Sequence, residues 1–212
     1  MNNELMINMP SDFQRMNTLP EDPANSIAHG KQTQSSTMFV MMYPISNQAA
    51  MPYGNDKVVV DGIHGVLSET QGLVEVKSGS TKNQKRYIYS IVKTKLNTSG
   101  MQYVLTMHID MNDHAINIQS YFDEVGMTGL RDATIMNKMI SEGKITPPNM
   151  DGWFKDPYDE NYRRGLLRNE SEKPEYDAMF PQHPLSEMRN FIKYLVENNW
   201  DLSKDDRYYI HI

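Results

Sequence analysis

No cysteine occurs anywhere in this chain of 212 residues, which excludes disulfide staples and thiolate metal sites together. No apolar run approaches the length that a membrane-spanning helix needs. Phosphate loops, Gly-x-Ser-x-Gly elbows and internal repeats are missing too, so no motif announces nucleotide binding or nucleophilic hydrolysis. The opening Met1-Asn2-Asn3-Glu4 lacks the positive n-region and long apolar h-region of a secretory signal, and a cytoplasmic protein is expected. Positive charge is not in excess: the formal net charge is −6 and the pI is near 5.5. That balance argues against a general affinity for nucleic acid or for an anionic membrane.

Alternation is what the chain does have. Between Gln84 and Phe122, three consecutive runs alternate apolar and polar residues and are separated by polar turns. Tyr87, Tyr89 and Ile91 share one side of the first run, and Tyr103, Leu105, Met107 and Ile109 one side of the second. Ile116, Ile118, Ser120 and Phe122 share one side of the third. A period of two with a single dry face describes an antiparallel meander whose register that face fixes. A further strand is expected over Leu73 to Lys77, and Met38 to Tyr43 reads as a strand buried on both faces. Glu4 to Met9 makes a short first strand stopped by Pro10, and residues 17 to 36 read as a loop.

Helices are expected at Asp56 to Leu67, with Val59, Ile63, Val66 and Leu67 on one face, and at Thr128 to Glu142. The second has Thr128 as cap, a stripe of Leu130, Ala133, Met136, Met139 and Ile140, and Gly143 at its C-terminal cap. It is the expected cover for the dry face. A third helix follows His183-Pro184, which gives a cap and a proline at the first turn, with Leu185, Met188, Ile192, Leu195 and Val196 in a clean stripe. Tyr208 to Ile212 reads as a short final strand. Seventeen methionines mostly fall in these periodic segments, where Met serves as a core filler.

Composition changes after Lys144, and the chain divides into a core domain of residues 1–143 and an extension of residues 144–212 packed on it. The extension is dense in aromatics, charge and proline, so it is expected to wrap over the sheet with Trp153, Phe154 and Tyr158 as anchors. Tyr176 and Phe180 are expected to plug the turn that leads into the last helix.

The order of elements in residues 4 to 142 resembles the PsbP-like α/β/α sandwich family. The resemblance is carried by the first strand, proline turn and Phe13, and by Tyr87-Ile88-Tyr89-Ser90-Ile91, Gly100-Met101-Gln102-Tyr103 and Phe122-Asp123-Glu124. It implies an α+β fold, an antiparallel sheet packed by helices, serving binding or assembly; fold alone does not select a partner.

Three residue sets carry candidate chemistry. His108, Asp110 and His114, with Asp113, combine imidazole and carboxylate in a way that suits zinc or another divalent ion. Turn chemistry accounts for the same residues without a metal, and no third histidine reinforces them, so no metal or other cofactor is expected. Lys82, Lys85 and Arg86 beside Tyr87 and Tyr89 could stack and pair with single strands, but three charges at a hairpin tip read more simply as a solvated edge. Paired carboxylates, Asp156 with Asp159 and Glu172 with Glu175, lie in polar segments expected to be exposed. Trp153, Phe154, Tyr158, Arg163 and Arg164 have the composition of interface hot spots and are the expected partner-binding set.

The sequence thus points to a non-enzymatic protein-interaction module of the adaptor, immunity or secretion-chaperone type. Its partner is expected to be another protein, with neither nucleic acid nor membrane insertion involved. The alternative is a metal-dependent hydrolase with a site near His108, Asp110 and His114.

Overall fold

In the computed structural model, residues 4–6, 8–46, 51–197 and 209–211 are described, the first and last of these segments as backbone. Twelve regular elements follow one another among the described residues. They are β1 (Glu4–Met6), β2 (Gln14–Met16), β3 (Ile27–Gln32), β4 (Ser36–Ser46), α1 (Asp56–Val66), β5 (Gln71–Ser80) and β6 (Arg86–Lys95). The rest are β7 (Met101–Asp110), β8 (His114–Glu124), α2 (Leu130–Ser141), α3 (Pro184–Glu197) and β9 (Tyr209–His211). Two short 3-10 turns, Glu170–Glu172 and Pro174–Met179, lead into α3.

Strands β2 to β8 form one seven-stranded antiparallel sheet in the order β2-β3-β4-β8-β7-β6-β5, so the fold class is α+β. Strands β1 and β9 pair antiparallel with each other in a separate ribbon. The register puts the alternating residues where the pattern predicts. Tyr89 stands opposite Met107, Met107 opposite Ile118, and Ile118 opposite Met42. Leu105, Met107, Ile109, Ile116, Ile118 and Phe122 have no exposed surface at all.

The cover of this dry face is α3 and not α2. Leu185, Met188, Phe191, Ile192 and Leu195 join the cluster that holds the sheet residues, and α3 contacts β4, β7 and β8. Phe191 reaches Phe122 below it at 6.1 Å and stacks on Phe13 at 5.5 Å, which ties the turn after Pro10 to the same core. The cap expected at His183 is present: its Nδ1 accepts the Leu185 N–H at 3.2 Å.

Helix α2 instead builds a second core in which Ile135 and Met139 pack with Ile145 and Trp153. Its buried face is rotated from the stripe read in the sequence. Arg131, Ile135 and Met139 point inward, whereas Leu130 is 50% exposed. Hydropathy cannot assign an arginine to a core. Arg131 is stable there because it donates to the Ser171 and Lys173 carbonyls, to the Ser186 hydroxyl and to Asp177. Thr128 does not cap the helix, since Gly129 occupies that position without a side-chain bond. Gly143 does sit in the expected C-terminal cap with φ 69°.

Helix α1 packs beside β5 on the opposite face, with Val60, Leu67, Leu73 and Val76 buried together. Val66, expected in its stripe, is 80% exposed. Two further expectations are corrected. Residues 27–32 form β3 and not loop, because Ile27 and His29 alternate inward while Ala28 and Gly30 pair with Met41 and Phe39. Strand β4 is buried on one face only: Met38, Val40 and Met42 are buried, and Phe39, Met41 and Tyr43 are half-buried. Among the described residues no helix is long and apolar enough to cross a membrane.

Candidate partner-binding groove

The dry face ends at Lys93 and Tyr103, which stand opposite each other in β6 and β7. Here the core turns polar under the segment that follows α2. The Lys93 ammonium lies 2.7 Å from Glu172, and the Tyr103 hydroxyl donates to the other Glu172 oxygen at 3.1 Å. The Asn169 N–H donates to Glu172 as well. Burial, together with nearby carboxylates, pushes the Tyr103 phenol well above its ordinary value, so this hydroxyl remains a donor. Asp132, at the start of α2, accepts from the Ser171 hydroxyl and from the Asn169 amide. Burial raises its carboxyl above the usual range, with Glu172 nearby adding to the effect against the bond from Ser171. Glu172, expected to be exposed, is therefore one of the most buried polar groups in the protein.

A second ion network stands next to it. Arg189 of α3 donates to Glu75, to Asp177 and to the Glu172 carbonyl, while Glu75 accepts from the Tyr89 hydroxyl at 2.5 Å. Through Arg131, Asp177 and Arg189 the turn preceding α3 is bonded to α2 and to the sheet. No sequence motif signals this set, because its members come from five separate segments.

Residues 153 to 169 leave the second core, cross the edge of the sheet and return. Phe154 and Asn169 form an antiparallel bridge, and the Lys155 N–H donates to the Arg168 carbonyl, which closes the neck of a compact loop. Trp153 anchors it with 1% exposure. Asp156, expected at the surface, is buried: it accepts the Tyr158 and Asp159 N–H groups and meets His64 Nε2 of α1 at 2.9 Å. Tyr162 stacks on that histidine ring at 3.9 Å. The Tyr158 hydroxyl occupies the edge of β5, bonding both to the Val76 N–H and to its carbonyl. The Leu166 N–H then donates to the Gln71 carbonyl. The backbones approach so closely that a Cβ on Gly72 would fall on the Leu166 carbonyl, and one on Gly165 on the Gln71 carbonyl.

Between this loop, α2 and the ends of β6 and β7 lies a groove of about 480 Å³. Met101, Met136, Leu166 and Leu167 give it apolar walls, with Trp153 and Phe154 alongside. The buried Lys93 and Asn169 and the half-buried Asp132, which accepts from Asn169 and Ser171, line its base, and the exposed Lys95 and Arg163 its mouth. Among the described residues neither Lys95 nor Arg163 has a carboxylate partner. Arg163 donates only to the carbonyls of Glu160 and Tyr162.

Of the five residues expected to bind a partner, Trp153, Phe154 and Arg163 come together at this groove, and Phe154 is 55% exposed. Tyr158 is committed to the sheet edge through its hydroxyl, although the residue stays 42% exposed, and Arg164 is exposed outside the groove lining. The metal candidates are not assembled. His108 and Asp110 face one side of the sheet, whereas strand alternation puts His114 on the side of Ile116. Asp110 accepts from Arg86 and from the Asn112 N–H, and His114 bonds to Asp113. No group of three or more metal-ligating side chains exists among the described residues. Arg86, from the basic hairpin tip, is neutralised by Asp110 and lies 5.0 Å over the Tyr53 ring.

No family model and no curated protein matches the chain. Among solved structures, the Saccharomyces cerevisiae Ran-binding protein Mog1p is similar in fold over 61% of this chain and 76% of its own. The TM-score is 0.39 and the identity 10%.

Proposed function

We propose that the protein is a non-enzymatic interaction module that binds another protein through the 153–169 loop and the groove beside it. The adaptor, immunity and secretion-chaperone types all fit this reading. The observation that carries it is the pairing of a rigidly pinned loop with exposed recognition groups. Trp153, Asp156 and Tyr158 fix the loop backbone, while Phe154, Tyr158, Arg163 and Arg164 present aromatic and guanidinium surface to solvent. Pre-organised aromatic and arginine residues are what interface hot spots are built from. In this reading residues 1–143, a PsbP-like layer, are the scaffold, and residues 144–212 supply the recognition half. A cytoplasmic setting and a partner other than nucleic acid belong to the same proposal, supported by the net charge of −6.

The reading is tested by affinity capture with the full chain as bait, beside the double variant F154S/R163E and the surface control K57E. A partner that is enriched by the wild type and by K57E but lost from F154S/R163E supports it. Equal recovery by all three baits overturns it.

A further inference from the structure

The chemistry of the groove defines what sort of partner segment it accepts. Its walls are apolar, formed by Met101, Met136, Leu166 and Leu167, and such thioether and leucine surfaces accommodate a bulky side chain without demanding one shape. The two charged side chains at its mouth, Lys95 and Arg163, are both cationic and exposed, and both lack a carboxylate among the described residues. Elsewhere some surface cations do have an acid at hand, while others, such as Lys77, Lys82 and Lys155, form no ion pair among the described residues. Lys57 pairs with Asp61, Lys144 with Glu142, and Lys173 with Glu170. Two unmatched cations at the mouth of an apolar cleft are complementary to carboxylates flanking an apolar anchor.

We propose that the groove receives an acidic protein segment, in which one large apolar or aromatic side chain enters between Met101, Met136 and Leu166 and neighbouring carboxylates meet Lys95 and Arg163. The inference rests on the interaction-module reading and specifies its partner. A polyanionic nucleic acid is the less favoured occupant. The site is a cleft with apolar walls and not an open stacking platform. Docking here extends the loop's own role: the buried Lys93–Glu172 pair beneath already holds the base of the cleft rigid, so little ordering accompanies binding.

The test uses the full chain and a fluorescein-labelled peptide with a central tryptophan flanked on both sides by aspartates. The expected result is saturable binding, followed by fluorescence anisotropy, that weakens as salt rises. Replacing the aspartates with asparagine in the peptide, or reversing the cations in K95E/R163E, is expected to weaken it about tenfold or more, as is replacing tryptophan with serine. The peptide arms use only wild-type protein, and a thermal unfolding curve for K95E/R163E confirms that the variant is folded. Binding that is indifferent to the aspartates, preferred by a lysine-flanked peptide, or displaced by oligothymidylate overturns the proposal. If the bait of the previous section loses its partner on F154S/R163E while no acidic peptide binds, the acidic segment is wrong and the module reading stands. If capture does not depend on Phe154 and Arg163, both fail.

Discussion

Lys93 and Glu172 form an ion pair of 2.7 Å in which the two side chains are 3% and 1% exposed, linking the end of β6 to the segment that precedes α3. Charges this deeply buried are tolerated only as a pair, because removing one partner strands the other in a medium that cannot solvate it. Replacement of either residue with alanine is therefore expected to lower stability by about 3–5 kcal/mol. The double variant K93M/E172L is expected to lose much less than the sum. Urea denaturation of the two single variants and the double variant checks this, and additive losses would contradict it.

Adjacent aromatic residues in the loop have opposite roles. Trp153 is buried in the second core, so W153A is expected to cost about 3–5 kcal/mol and to loosen the whole loop. F154A removes a side chain that is 55% exposed, and its stability is expected to change by no more than about 0.5 kcal/mol. On the proposed function, partner capture is expected to be lost in both. Chemical denaturation alongside capture separates the two behaviours.

Close backbone approach at Gly72 leaves no room for a methyl group beside the Leu166 carbonyl. G72A is expected to lift the returning arm of the loop off β5 while the sheet keeps its register. Hydrogen exchange reads this directly: the Leu166 N–H, bonded to Gln71, should lose protection while the N–H groups of β7 keep theirs.

His183 gives the protein a defined response to acid. Burial lowers its pKa to about 3, and the Arg131 and Arg189 guanidiniums lower it further in the same direction. The geometry agrees, since Nδ1 accepts the Leu185 N–H and can take no proton without losing that cap, while Nε2 faces Glu124 at 3.7 Å. In the unfolded chain the same imidazole binds a proton below its ordinary value of 6.5. Between pH 6.5 and about 3 the unfolded state therefore holds the extra proton, and stability falls as pH falls through that window. The slope from this one group is at most about 1.4 kcal/mol per pH unit. His29, lowered to about 4 chiefly by burial, acts with the same sign, whereas Glu124, raised by burial, opposes it. H183N retains a capping acceptor and cannot titrate, so it is expected to flatten the stability profile between pH 6 and 4. An unchanged slope would show that the proton is taken up elsewhere.

Where side chains alternate in a continuous run, the sequence alone was sufficient. The faces of β6, β7 and β8, the turn at Pro10, the cap at His183 and the stripe of α3 depend on neighbours within a few residues or on a two-residue period. Of the site, the aromatic and arginine content of the loop was legible, and Trp153, Phe154 and Arg163 do meet at one groove. What tertiary structure alone decided is which helix covers which core and which polar groups go inside. Asp156 and Glu172 read as surface residues, and nothing marks Arg131 as a core residue, because hydropathy describes a side chain by itself. Each is buried only because partners far along the chain, Asp177, His64 and Lys93, satisfy its charge.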